Sequence, residues 1–148
     1  MFDVGCYPIS SARYYFKDEP VSIYARGELH PEQGVDISVG AVMEFRNGRA
    51  LLDCGFTLPY RTDLELVGDK GRIYFPRAWQ PHEEASLFFN DDELRLPPSN
   101  HYVEMFEHFS LAVLSDSKLL LDGRDALHQM KALDVTHRSL RSGKVEPV

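Results

Sequence analysis

Chemistry is concentrated in one short stretch, Asp3-Val4-Gly5-Cys6-Tyr7-Pro8. A glycine, a small residue, a phenol and a proline at the start of a helical pattern place the Tyr7 hydroxyl where aligned backbone dipoles favour negative charge. A phenol ordinarily titrates near ~10, so proton transfer at neutral pH needs a neighbouring cation as well. Acid–base work is one reading of Tyr7; a tyrosine packed at a helix start accounts for the same residues. Cys6 has the atom for nucleophilic chemistry, but no base identifies itself beside it. A small buried filler explains it as well.

Other groups carry weaker signals. His101, Glu104 and His108 share one helical face at i, i+3 and i+7, whereas histidines that chelate a metal from a helix usually sit one turn apart. They read as solvated or satisfied polar positions, and no metal site is expected. Arg61, Arg72 and Arg77 surround two hairpin patterns and suit either an anionic substrate group or solvated strand ends. Trp79, between Pro76 and Pro81, suits the rim of a binding cleft or a loop anchor. The close pair Gly68 and Gly71 lies between two strand-like runs with no helical pattern following, which is a hairpin turn and not a phosphate cradle.

The elements that must position these residues follow from periodicity. A helix is predicted from about Pro8 to Phe16, with Ile9, Ala12 and Phe16 on one face and Pro20 at its exit. Val21, Ile23 and Ala25 alternate with polar residues as a half-buried strand does. Residues 35–45 and 49–58 form two alternating runs that meet at Asn47-Gly48, a type I′ signal. Val39, Ala41, Met43 and Phe45 line one face of the first run, and Leu52, Cys54, Phe56 and Leu58 that of the second.

Two further hairpins turn at Asp69-Lys70-Gly71 and Asn90-Asp91-Asp92, with an irregular loop over 76–84 between them. Asn100 is a plausible cap for a helix to about Ser115, with Tyr102, Phe106, Phe109 and Val113 at helical spacing. Asp122 caps a last helix in which Leu127, Met130, Leu133 and Leu140 recur and which Gly143 stops. Strands segregated from helices indicate an α+β domain, a largely antiparallel open sheet with helices on one face. Val42 and Leu51 point to the opposite face, with Tyr24, Tyr74 and Leu87 as companions, and leave that face available for dimerisation.

Composition bounds the rest. With 148 residues, one domain spanning 1–148 is expected. A net charge of −7 argues against a general nucleic-acid or anionic-membrane binder. No apolar run approaches the ~20 residues of a membrane helix, and the start lacks the basic and apolar segments of a signal peptide. Two cysteines make no disulfide framework, so a reduced, cytoplasmic protein is expected.

Taken in order, the motifs resemble a known family. Asp3-Val4-Gly5-Cys6-Tyr7-Pro8-Ile9-Ser10 is similar to the start of the C-terminal domain of Gfo/Idh/MocA-type NAD(P)-dependent oxidoreductases. The likeness continues through Glu19-Pro20-Val21, Gly34-Val35-Asp36, Asp53-Cys54-Gly55-Phe56, Pro59-Tyr60-Arg61 and Glu107-His108-Phe109 to the last helix at Ser139–Gly143. The family motif has an aspartate, a glycine two later and a histidine four later. Asp3 and Gly5 match, and Tyr7 replaces the histidine, as in the branch that includes dimeric dihydrodiol dehydrogenase and glucose–fructose oxidoreductase.

The resemblance implies oxidation of a secondary alcohol on a sugar, polyol or dihydrodiol, with Tyr7 as acid/base. It implies Asp3, Arg61 and Trp79 around the substrate and pairing of two copies through the open sheet as a homodimer. It also implies NAD or NADP held by an N-terminal Rossmann domain, whose glycine fingerprint and Glu-Lys-Pro segment do not occur in this sequence. Lys17-Asp18-Glu19-Pro20 differs from that segment in order and context. The chain is therefore expected to be the C-terminal substrate and dimerisation half of such an enzyme and inactive by itself. The alternative is a non-catalytic dimeric binding or regulatory module of the same fold.

Overall fold

The computed structural model describes residues 1–79 and 85–148. In chain order the elements are α1 (Cys6–Phe16), β1 (Ser22–Leu29), β2 (Asp36–Phe45), β3 (Gly48–Gly55), β4 (Leu64–Gly68), β5 (Gly71–Phe75), β6 (Ala85–Phe89), β7 (Asp92–Leu96), α2 (His101–Ser115), α3 (Gly123–Ser142) and β8 (Glu146–Pro147). The class is α+β, with antiparallel sheets and three helices among the described residues. The strands are distributed over two four-stranded sheets, β3-β2-β1-β8 and β4-β5-β6-β7, where the sequence suggests one open sheet. Pro59, which has no N–H for a ladder, lies in the irregular stretch that separates β3 from β4. Two compact units result, one of Met1–Pro59 with Leu121–Val148 and one of Tyr60–Leu120.

In the first unit the period-2 residues Ile23, Ala25, Val39, Ala41, Met43 and Phe45 face inward and are buried. Ile9 of α1 and Ala132, Leu133 and Val135 of α3 close over them, so both helices cover one face of the sheet. Strand β8 is short and pairs only with Ser22 and Ile23. Beyond its end the Ala25 N–H donates to the Ser139 hydroxyl at 2.8 Å, and that hydroxyl donates to the Lys144 carbonyl at 2.6 Å. A buried serine thus completes the edge of the sheet, because an unpaired buried amide is costly.

Several details differ from the sequence expectations. Phe45 pairs with Gly48, so the first hairpin reverses at Arg46-Asn47, and neither residue has the positive φ of a type I′ turn. Gly48, just after the reversal, has a φ of +156°, and a Cβ there would also lie 2.8 Å from the Phe16 ring, which stacks on Phe45. Strand β3 ends at Gly55, which leaves Phe56 and Leu58 exposed instead of inward. Leu127 and Met130 are exposed as well; α3 buries Ala132, Leu133, Val135, Thr136 and Ser139. Tyr74 and Leu87 belong to the second sheet, so only Tyr24 joins Val42 and Leu51 on the outer face of the first.

The second unit holds two hairpins as expected, turning at Asp69-Lys70 and Asn90-Asp91. Asn90 adopts a left-handed conformation, and its Oδ1 accepts the Arg72 N–H at 3.0 Å, joining one turn to the neighbouring strand. Asn100 caps α2 by accepting the Tyr102 and Val103 amides. Only Ala112 of α2 is buried; Tyr102, Phe106, Phe109 and Val113 are exposed. Together with Met105, Val103 and Leu114 they cover an arc of roughly 180° at 3.6 residues per turn, well beyond the usual apolar stripe. The expected irregular loop falls in part on residues 80–84, outside the described residues. No described helix is long and apolar enough to cross a membrane.

Candidate functional site

Residues 1–5 wrap back on themselves before α1 begins. The Gly5 N–H donates to the Met1 carbonyl at 2.8 Å, and a Cβ on Gly5 would lie 2.7 Å from that same oxygen. Only glycine permits this approach. Met1 is buried and Phe2 stacks on His137, ring centroids 4.8 Å apart, which anchors the segment. Asp3 is exposed, and its part in the turn is played by its backbone carbonyl, which accepts the Cys6 thiol at 3.1 Å.

The helix therefore opens at Cys6, ahead of the proline, and Tyr7 stands on its first turn with 52% of its surface exposed. Cys6 is no activated nucleophile: burial pushes its thiol up from the ordinary value, and burial does the same to Cys54.

Behind Tyr7 lies a cluster that the helical pattern did not single out. Arg13 sits at i+4 from Ile9 on the inward face of α1 and is 6% exposed. A guanidinium taken from water must find acceptors, and this one finds three side chains. Its Nε and Nη2 donate to the two Glu19 oxygens at 2.8 and 2.9 Å, the bidentate geometry that favours arginine over lysine. Nη2 also donates to Asp125 Oδ1 at 2.7 Å, and Nη1 to Gln129 Oε1 at 2.9 Å. The Arg13 hydrogen bond holds the Glu19 carboxyl below its usual range, and His128 Nδ1 lies 3.0 Å from Glu19 Oε1. A charged residue on an otherwise apolar helical face is the one local signal the sequence offers for it.

The second unit places the other two residues near one another. Thr62 bridges Arg77, and the Ala78 N–H donates to the Thr62 carbonyl at 2.8 Å. Arg61, exposed, and Trp79, half-buried, therefore lie on two adjoining backbone segments. Arg72 instead pairs with Glu65 across its own hairpin at 3.1 Å.

The helical trio does not converge on a metal. His108 Nε2 accepts the Leu120 N–H at 3.0 Å, and Glu104 accepts the Ser99 hydroxyl. Among the described residues no group of three or more His, Cys, Asp or Glu is placed to hold a metal ion. An open cavity of about 340 Å³ is lined by Glu19, Pro20, Val21, Arg46, His128, Lys131 and Val148. It adjoins the segment after the C-terminal end of α1, away from the first turn that carries Tyr7.

The chain is 31% identical over its whole length to an uncharacterized oxidoreductase, ORF334, of Rhizobium meliloti, and covers 48% of that protein. It is 28% identical to the dTDP-3,4-didehydro-2,6-dideoxy-alpha-D-glucose 3-reductase of Saccharopolyspora spinosa, with 90% of this chain aligned to 44% of the relative. The chain thus spans about half the length of the curated relatives it matches. Among solved structures it superposes on KijD10, a 3-ketoreductase from Actinomadura kijaniata crystallised with NADP and TDP-benzene. That match has a TM-score of 0.84 at 22% identity and covers 93% of this chain and 45% of KijD10. Residues 1–74, which include the whole turn around Tyr7, match the GFO/IDH/MocA C-terminal domain, and the chain belongs to that family.

Proposed function

We propose that this chain is the substrate-binding and dimerisation half of an NAD(P)-dependent oxidoreductase that acts on the CH–OH group of a sugar, polyol or dihydrodiol. The observation that carries the reading is Tyr7, half in solvent on the first turn of α1 at the family's motif position. A phenol there stands partly in solvent and is not buried in the core. The Saccharopolyspora relative is named for a dTDP-linked deoxysugar, and KijD10 was crystallised with a TDP compound and NADP, which supports a sugar-type substrate.

This chain does not fit the dinucleotide by itself. Its closest glycine pair, Gly68 and Gly71, faces across the β4–β5 hairpin, and no helix N-terminus follows to receive a pyrophosphate. Cofactor binding is assigned to the remainder of the longer protein. The contribution of this half is a proton: Tyr7 Oη takes it from the alcohol during oxidation and returns it during reduction. Arg61 and Trp79 bind the substrate, and Asp3 shapes the turn that presents the phenol.

The experiment is a comparison. The 148-residue chain, given NAD or NADP and a panel of aldoses and polyols, is expected to show no turnover. The longer protein that includes the preceding domain is expected to oxidise at least one of them. Turnover by the short chain alone overturns the division of labour.

Dimerisation belongs to the same reading. On the face opposite the helices, Tyr24, Val42 and Leu51 lie side by side across β1, β2 and β3, and Leu51 is 76% exposed. A contiguous apolar row of this kind expects a partner surface. The chain is therefore expected to sediment as a dimer, and Leu51→Arg as a monomer with unchanged circular dichroism. A wild-type monomer at high concentration rejects this interface.

A further inference from the structure

From the geometry we infer that Gln129 is a positioning residue for Tyr7, an inference that rests on the acid–base reading above. Met1 and Phe2 anchor the segment before α1, but the cap of the helix adds little to its first turn. Its cap is Gly5, which offers no side-chain hydrogen bond, and Pro8 contributes no N–H. Contacts from other elements therefore also bear on the orientation of that turn.

Gln129 of α3 does so at the most sensitive place. Its Nε2 donates at 2.9 Å to the Cys6 carbonyl, the oxygen of the peptide bond that joins Cys6 to Tyr7. Its Oε1 accepts from Arg13 Nη1 at 2.9 Å. A primary amide satisfies both contacts in one orientation only, nitrogen toward the carbonyl and oxygen toward the guanidinium. Arg13 is itself immobilised by Glu19 and Asp125. The peptide plane that carries Tyr7 is thus connected through one amide to a buried, fully engaged cation.

A shift of about 1 Å in a reacting group can cost on the order of 10²-fold in rate, so a tether at this peptide acts on turnover. Both ends of the amide are engaged by protein groups, so losing the tether should leave substrate binding nearly unchanged. Gln129→Glu separates the two halves of the tether. The carboxylate still accepts from Arg13, so the buried cation keeps its partner, but it has no proton to give to the Cys6 carbonyl.

The test uses the longer enzyme that carries this domain, with Gln129→Glu made in the wild-type and Tyr7→Phe backgrounds. In the wild-type background kcat is expected to fall about 10-fold, with KM within twofold and the melting temperature retained. In the Tyr7→Phe background Gln129→Glu should cost nothing more. Gln129→Leu, read in the same way, serves if the carboxylate variant does not fold. Unchanged kcat in Gln129→Glu, beside a large loss in Tyr7→Phe, overturns the positioning role. Equal losses in both backgrounds also overturn it, because the effect is then general. Retained turnover in Tyr7→Phe alone removes the acid–base reading and this inference with it.

Discussion

Tyr7→Phe in the longer enzyme is expected to lower turnover by at least ~10²-fold, the usual contribution of a positioned general acid or base. The substitution deletes one oxygen and keeps the ring, and the ring is half exposed, so the fold loses little. Substrate affinity should change much less than kcat, since the phenol acts while the proton is moving. Tyr14 and Tyr15 sit on the same helix with comparable exposure and supply the controls. Tyr14→Phe and Tyr15→Phe should keep near-wild-type rates under the same assay. A Tyr7→Phe enzyme that turns over normally would sink the assignment of the proton to this residue.

Arg13→Met carries the largest expected effect on stability, about 3 kcal/mol. The loss comes less from the contacts removed than from the carboxylates left behind. Glu19 and Asp125 keep about a third of their side-chain surface in solvent, which places the cost at the low end for a broken buried pair. For a domain of this size the melting temperature should fall by roughly 6–12 °C.

The acid dependence gives a second readout. Glu19 is held below its ordinary value of 4.5 by the Arg13 hydrogen bond. Its contribution is fully present above that value and is lost as pH falls through the lowered folded-state value. In Arg13→Met the cause of the lowering is gone, so the acid limb of thermal unfolding should flatten between pH 5 and pH 3, an interval of about two units around the carboxyl range. A variant with wild-type melting behaviour at neutral and acid pH would show that the cluster contributes nothing to folding.

Local chemistry is what the sequence expressed most clearly. Asn100 and Asp122 cap α2 and α3 through their own carboxamide and carboxylate oxygens, and Gly143 ends α3, because a cap acts within one turn of the residue that supplies it. The alternation in β2 was equally legible, since pleating puts successive side chains on opposite faces. Long-range solutions were not. Nothing near Arg13 in sequence names Asp125 or Gln129 as its partners, and Ser139 gives no local hint that it serves the Ala25 amide.

The Asn47-Gly48 pair misled for a related reason. Its glycine follows the reversal instead of sitting in it, and also answers the Phe16 ring from another element. Tyr7 illustrates the limit at the site itself. Its place on a helix start was readable from Gly5 and Pro8, but its amide tether to α3 required the fold. The wide apolar arc of α2 was visible as spacing, yet spacing does not say how much of an arc a domain covers by itself.

The first unit is discontinuous in the chain, closed by α3 and β8 after an intervening unit of some sixty residues. On the ribosome this imposes an order of events. The hairpins of Tyr60–Leu120 are contiguous and can form as they emerge, whereas β1 and α1 must wait for the last segment to be translated. Until then the Ala25 amide and the Arg13 guanidinium lack their distal acceptors, and Ile9 and Met43 face water. Residues 1–59 are thus the stretch of this domain that a chaperone has most to shield during synthesis.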